Sequence, residues 1–164
     1  MNIVEFADAE AMWAASEPYL SIDAANNTHS LSALRRLRRD GAKSSEKFWV
    51  ATRSDGAPIG SLLRVDTRHA FLSYMAVDVA RALGEAAQDR RVELEGVVGA
   101  AETVAAFVSG FGRPTRPYAQ LMLYQHQGEI VGGEADGRAR VAATNDLATV
   151  VAMLDAFDLE PSMI

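Results

Sequence analysis

Apolar residues recur along this chain with two periods, and the changes of period mark the elements. Ile3-Val4-Glu5-Phe6 reads as a short strand. Asp8 then caps a helix that carries Met12 and Trp13, with Ala15 or Ser16 beside them, and Pro18 interrupts or ends it. A second helix is predicted from about Ser21 to Asp40, because Ile22, Ala25, Leu31, Leu34 and Leu37 fall on one helical stripe. Asn26, Asn27, Thr28 and His29 break that stripe. Helix interiors gain little from such residues, so this is either a loop between two shorter helices or a polar lining.

A meander of three strands follows. Phe48–Thr52 and Ile59–Val65 flank a turn at Ser54-Asp55-Gly56, and a third apolar run spans Phe71–Met75. A helix over Asp78–Asp89 turns Val79, Leu83 and Ala86 or Ala87 inward. Val92–Val98 alternates apolar and acidic residues and ends in an apolar pair, which predicts a strand buried more deeply at its C-terminal end. Gly99–Glu102 opens a helix with Val104, Phe107, Val108 and Phe111 toward the core. Gly110 and Gly112 weaken its end, and Pro114 and Pro117 mark the exit. Tyr118–Tyr124 is a further strand.

The pattern then changes. Residues 127–137 are glycine-rich and polar, which predicts a linker or hairpin after a domain over 1–126. Residues 138–164 read as the start of a second unit. Arg138–Ala142 is its strand, and Thr144-Asn145-Asp146 caps a helix with Val150, Val151, Leu154 and Phe157 inward. That arrangement repeats the strand, cap and helix with which the chain opens.

Composition narrows the function classes. The 164 residues are 49% apolar and 23% charged, ordinary for a globular protein with a sizeable core. With no cysteine, a thiolate nucleophile and a sulfur-based zinc site are excluded, and a reducing, cytoplasmic setting is expected. No signal peptide or membrane span is visible in the sequence, so the Asn26-Asn27-Thr28 glycosylation match reads as chance. The net charge of −6 disfavours nonspecific binding to nucleic acid. Arg35-Arg36-Leu37-Arg38-Arg39 is basic, but it precedes Asp40-Gly41 at a helix end, where cations complement the dipole. His29, His69 and His126 are scattered, and no metal site is expected. Glu93 and Glu95 share one side of a strand, which reads as an exposed face. Val108-Ser109-Gly110 lacks the first glycine and the strand-to-helix setting of a nucleophile elbow. Met12, Met122 and Met153 read as core fillers.

Three antiparallel strands feeding a helix make a natural anion site at the helix N-terminus. Here that junction reads Met75-Ala76-Val77-Asp78-Val79-Ala80-Arg81, without glycine and with an acid at the cap.

The element order resembles the GCN5-related N-acetyltransferase superfamily. The texture is similar to the degenerate N-terminal half of a bacterial two-part acetyltransferase. The residues that carry this are Glu17-Pro18-Tyr19-Leu20 with Asn26-Asn27 and Leu31, Phe48–Ala51 with Asp55-Gly56, Leu94–Gly99, Leu121–Tyr124 and Arg138–Leu147. The resemblance implies an α/β fold with a mixed, mostly antiparallel sheet flanked by helices. It implies acetyl transfer from acetyl-CoA to an amine. The implied partner is a catalytic second half or a second copy of the chain, with a small-molecule amine acceptor. Members of the superfamily hold the coenzyme pyrophosphate on a glycine-bearing loop before this helix, and Arg81-x-x-Gly84-x-Ala86 matches its letters. Two placements stay open. If the helix starts at Asp78, Gly84 is a packing glycine; if it starts later, Arg81, Gly84 and Ala86 form a cofactor loop. No catalytic residue is assigned, because the later helix offers Phe107, Ser109 and Phe111 where many members carry a tyrosine acid. The fourth strand likewise offers Ser73 and Tyr74 where many carry a glutamate base. Three functions therefore stand open: a non-catalytic half of such an enzyme, a small acetyltransferase using Arg81–Ala86, or a stand-alone binding or dimerisation module.

Overall fold

The computed structural model describes residues 1–43, 45–65, 69–117 and 140–159. The chain divides into two compact units, Met1–Gln125 and His126–Ile164. The expected strand Tyr118–Tyr124, the glycine-rich segment up to Gly137, Arg138-Ala139 and His126 lie outside the described residues.

The first unit is an α+β fold on a mixed five-stranded sheet in the order β1-β2-β3-β4-β5. Its elements are β1 (Asn2–Phe6), α1 (Ala9–Ile22), α2 (Thr28–Asp40), β2 (Lys47–Thr52), β3 (Pro58–Arg64), β4 (His69–Leu72), α3 (Val77–Asp89), β5 (Gly96–Val98) and α4 (Ala101–Phe111). The first four strands pair antiparallel, with Val4 opposite Val50, Trp49 opposite Leu62 and Leu63 opposite Phe71. β4 and β5 run parallel, with Ala70 opposite Val97, and α3 is the crossover between them.

Helices cover both faces of the sheet. Phe48, Val50, Leu63 and Val65 pack with Met12, Leu20, Leu31, Leu34 and Leu37 of α1 and α2. Trp49, Ala51, Leu62, Ala70 and Leu72 pack with Val79, Leu83, Phe107 and Phe111 of α3 and α4. This two-sided burial is why Phe48-Trp49-Val50-Ala51 is an unbroken apolar run rather than an alternating one.

Several boundaries differ from the sequence expectation, each for a local reason. α1 runs through Pro18, which is tolerated because Pro18 and Ala14 are both exposed and water can reach the carbonyl left without a donor. The stripe from Ser21 is two helices, with α2 starting at Thr28. β4 ends at Leu72, since the Ser73 N–H reaches the Ser61 carbonyl (3.1 Å) and the Ser61 N–H reaches Ser73 Oγ (2.8 Å), after which the chain peels away. β5 holds only three residues. Before it, the Val92 N–H is spent on the Ala87 carbonyl (2.9 Å), and the Glu93 carbonyl accepts from Arg64 Nε (3.0 Å), so this stretch cannot join the ladder.

The basic helix end is knitted into its surroundings. Arg38 pairs with Glu10 through two hydrogen bonds of 2.5 and 3.1 Å and lies 4.7 Å from the centre of the Trp13 ring.

In the second unit, a 3-10 turn at Thr144–Asp146 leads into α5 (Leu147–Leu159). Asp146 holds this entry, accepting from Arg140 (2.6 and 2.8 Å) and from the Ala143 N–H (2.7 Å). No strand is assigned at Arg140–Ala142, and Val150, Val151 and Leu154 are exposed rather than inward.

Candidate functional site

Parallel strands carry their following helices to the same end of the sheet. Here β4 leads into α3 and β5 into α4, so two helix N-termini meet beyond the carboxyl ends of neighbouring parallel strands, the usual ligand position in such sheets. At that end lies an open groove of about 850 Å³. Its floor is the β4–α3 junction Tyr74–Val79, and its walls include Tyr19 and Ile22 of α1, Ile59 of β3 and Glu102 of α4.

Two long-range hydrogen-bonded links shape the floor. The Tyr19 hydroxyl donates toward the carbonyls of Ile59 (3.1 Å) and Tyr74. Burial raises the Tyr19 phenol pKa above its ordinary value, and a hydrogen bond with Ser73 pulls it the other way. Asn27 is buried in the turn between α1 and α2, donates to the Leu20 carbonyl (3.0 Å) and accepts the Tyr74 N–H (2.7 Å). The backbone of Tyr74 is thus engaged at both its N–H and its carbonyl.

The mouth of the groove is acidic. Tyr74 is partly exposed, and its hydroxyl is hydrogen-bonded to Glu102. The charge of Glu102 raises the Tyr74 phenol pKa, reinforced by that hydrogen bond, by some desolvation and by Asp23. Asp78 in the first turn of α3 and Glu102 in the first turn of α4 each face a helix N-terminus, where a carboxylate is favoured. Arg53 is the cation among the lining residues.

The residues matched to a cofactor loop lie elsewhere. α3 begins at Val77, so Arg81, Gly84 and Ala86 are helical and their N–H groups fall within the helix ladder. Gly84 is buried against α4: a Cβ there would stand 2.1 Å from the Phe107 carbonyl oxygen and 2.8 Å from the Phe111 nitrogen. Gly110 makes the reciprocal approach, 2.1 Å from the Arg81 carbonyl oxygen. Arg81 is exposed, and none of Arg81, Gly84 and Ala86 lines the groove. The helix amides without an intrahelical partner lie earlier, at Val77, Asp78 and Val79, since the first helical bond runs from the Ala80 N–H to the Ala76 carbonyl (3.0 Å).

Among the described residues no three His, Asp or Glu side chains are grouped to hold a metal ion, and no helix is long and apolar enough to cross a membrane. No family model, curated protein or solved structure matches the chain.

Tyr19 and Tyr74 give the site a readable pH dependence. Both phenols hold their proton above the ordinary value of 10.0 in the folded protein. Above that pH the unfolded chain has lost protons that the folded one keeps, so stability is expected to fall as pH rises. Ultraviolet titration of tyrosinate should show late-ionising phenols, and Glu102→Gln should bring Tyr74 back toward the ordinary range. A Tyr74 titration unchanged in that variant would show that Glu102 does not hold it.

Proposed function

We propose that this chain is the non-catalytic half of an acetyltransferase-type protein with the GCN5-related fold. The order of elements supports the fold: four antiparallel strands, a helical crossover and a parallel fifth strand. The observation that carries the loss of catalysis is the β4–α3 corner. A coenzyme pyrophosphate needs converging backbone N–H groups with no side chain in the way. This corner has no glycine, carries the exposed carboxylate of Asp78 in its first turn, and faces Glu102 across the groove. Two carboxylates beside a diphosphate repel it, so the residues present do not fit that group. A thioester carbonyl would also want an N–H at the end of β4, and the Tyr74 N–H is already given to Asn27.

On this reading the chain supports a catalytic partner or a second copy by shaping and covering it. On this reading it acts in the cytoplasm. The test is calorimetry with acetyl-CoA. No heat and no protection against thermal unfolding are expected at millimolar coenzyme. Saturable binding, or acetyl transfer by the chain alone, would overturn the proposal in favour of the small-acetyltransferase reading.

A further inference from the structure

The groove has a chemistry of its own. We propose that it is a binding site for a bulky, weakly hydrated organic cation of the quaternary ammonium class. Its body is apolar and aromatic, with Tyr19, Tyr74, Ile22, Ile59 and Met75 among its lining. Its mouth is anionic. Asp78 and Glu102 line it, and Asp23 is close enough to act on Tyr74. Among the described residues, Arg53 and two helix ends of about half a positive charge each stand against these, which leaves roughly one net negative charge.

The polar atoms of the wall select the kind of cation. Acceptors of the wall already have donors: the Tyr19 hydroxyl reaches the Ile59 and Tyr74 carbonyls, and Glu102 takes the Tyr74 hydroxyl. A primary ammonium brings three N–H donors, and inside the apolar body it would trade its water for carbonyls that already hold the Tyr19 hydroxyl, with open acceptors only on the carboxylates at the mouth. A quaternary nitrogen has no donor to satisfy. Its charge is spread over methyl groups that pack on aliphatic side chains and are attracted by aromatic rings. The inference stands apart from the acetyltransferase reading, because a quaternary nitrogen cannot accept an acyl group.

Choline and 3,3-dimethylbutanol have nearly the same shape and differ in charge, so they separate a cation site from a merely apolar one. Choline added to the isotope-labelled chain is expected to give saturable shifts of the amides of Tyr74–Val79 and Glu102. The alcohol should bind about tenfold more weakly or worse. Glu102→Gln and Asp78→Asn, both exposed and outside the core, should fold as the parent does. Each should weaken choline by about threefold to tenfold. Added salt should weaken choline but not the alcohol. The proposal is overturned if choline gives no saturable shift at these amides, if the alcohol matches it, if both variants bind as the parent does, or if inorganic pyrophosphate shifts the same amides at lower concentration.

Discussion

Gly84→Ala is expected to cost about 3 kcal/mol or more, although intrinsic helix propensity alone would make alanine the better residue by about 1 kcal/mol. The sign is decided by what the new methyl meets. It would lie 2.1 Å from the Phe107 carbonyl oxygen and 2.8 Å from the Phe111 nitrogen, and both are backbone atoms of α4. A flexible side chain could swing aside; a helix backbone cannot. The two helices must separate, and the separation loosens Leu83, Ala87, Phe107 and Phe111, which pack together in one core cluster.

Gly110→Ala should act alike, since its methyl would lie 2.1 Å from the Arg81 carbonyl oxygen. Both changes open the same contact, so the double variant should cost less than the sum of the singles. Gly112 is a useful control. It has φ +68 at the end of α4, and a Cβ there would meet only the Gly110 carbonyl oxygen at an ordinary 4.0 Å, so alanine adds chiefly left-handed strain, about 1 kcal/mol. Urea unfolding followed by circular dichroism measures all four. A Gly84→Ala variant as stable as the parent would mean that α3 and α4 do not approach as closely as described. With total stabilities of about 5–15 kcal/mol for such domains, the predicted loss is a large share.

Much of the fold was legible because local chemistry and tertiary demand agree. The Asp8 cap holds, with Asp8 Oδ1 accepting the Ala11 N–H at 2.8 Å. The Asp55-Gly56 turn holds as well, with Asp55 accepting the Ala57 N–H (3.0 Å) and Gly56 at φ 87. What was not legible depends on partners far along the chain. Nothing within Val92–Glu95 announces that Arg64 will take the Glu93 carbonyl and keep that stretch out of the sheet. Nor does Pro18 announce that the helix continues, because that turns on which side of α1 faces water.

The candidate site was legible only in part. The missing glycine and the acid at Asp78 were visible in the sequence, and both belong to the groove floor. Arg81-x-x-Gly84-x-Ala86 matched a loop by letters, but a letter match does not count helical turns, and the helix is already running at Val77. Glu102 was read only as a helix opener. Its partnership with Asp78 follows from topology: each lies in the first turn of a helix that follows one of two adjacent parallel strands. That signal exists in the sequence, but it needs the parallel pairing of β4 with β5 before it can be used.

Asn27 is where fold and groove meet, and Asn27→Ala is expected to cost about 2–4 kcal/mol. An asparagine just before a helix ordinarily caps that helix with its own side chain. This one caps nothing on α2. Its amide reaches instead across 47 positions of sequence to the Tyr74 N–H (2.7 Å) and back to the Leu20 carbonyl (3.0 Å). Leu20 lies in the last turn of α1, where carbonyls lack helical partners, and Asn27 is only 2% exposed, so water does not replace the lost bonds. Alanine strands a part-buried donor and a buried acceptor together. Asn27→Asp separates the two. It keeps an acceptor for the Tyr74 N–H but sets a buried carboxylate against the Leu20 carbonyl, which raises its pKa in the folded state. A folded state that binds the extra proton more tightly gains stability as pH falls through that raised value. Asn27→Asp should therefore recover on acidification while Asn27→Ala does not. Hydrogen exchange at the Tyr74 amide should quicken in the alanine variant and stay slow in the aspartate one. An alanine variant within about 0.5 kcal/mol of the parent, with Tyr74 exchange unchanged, would show that the groove floor is held by other contacts.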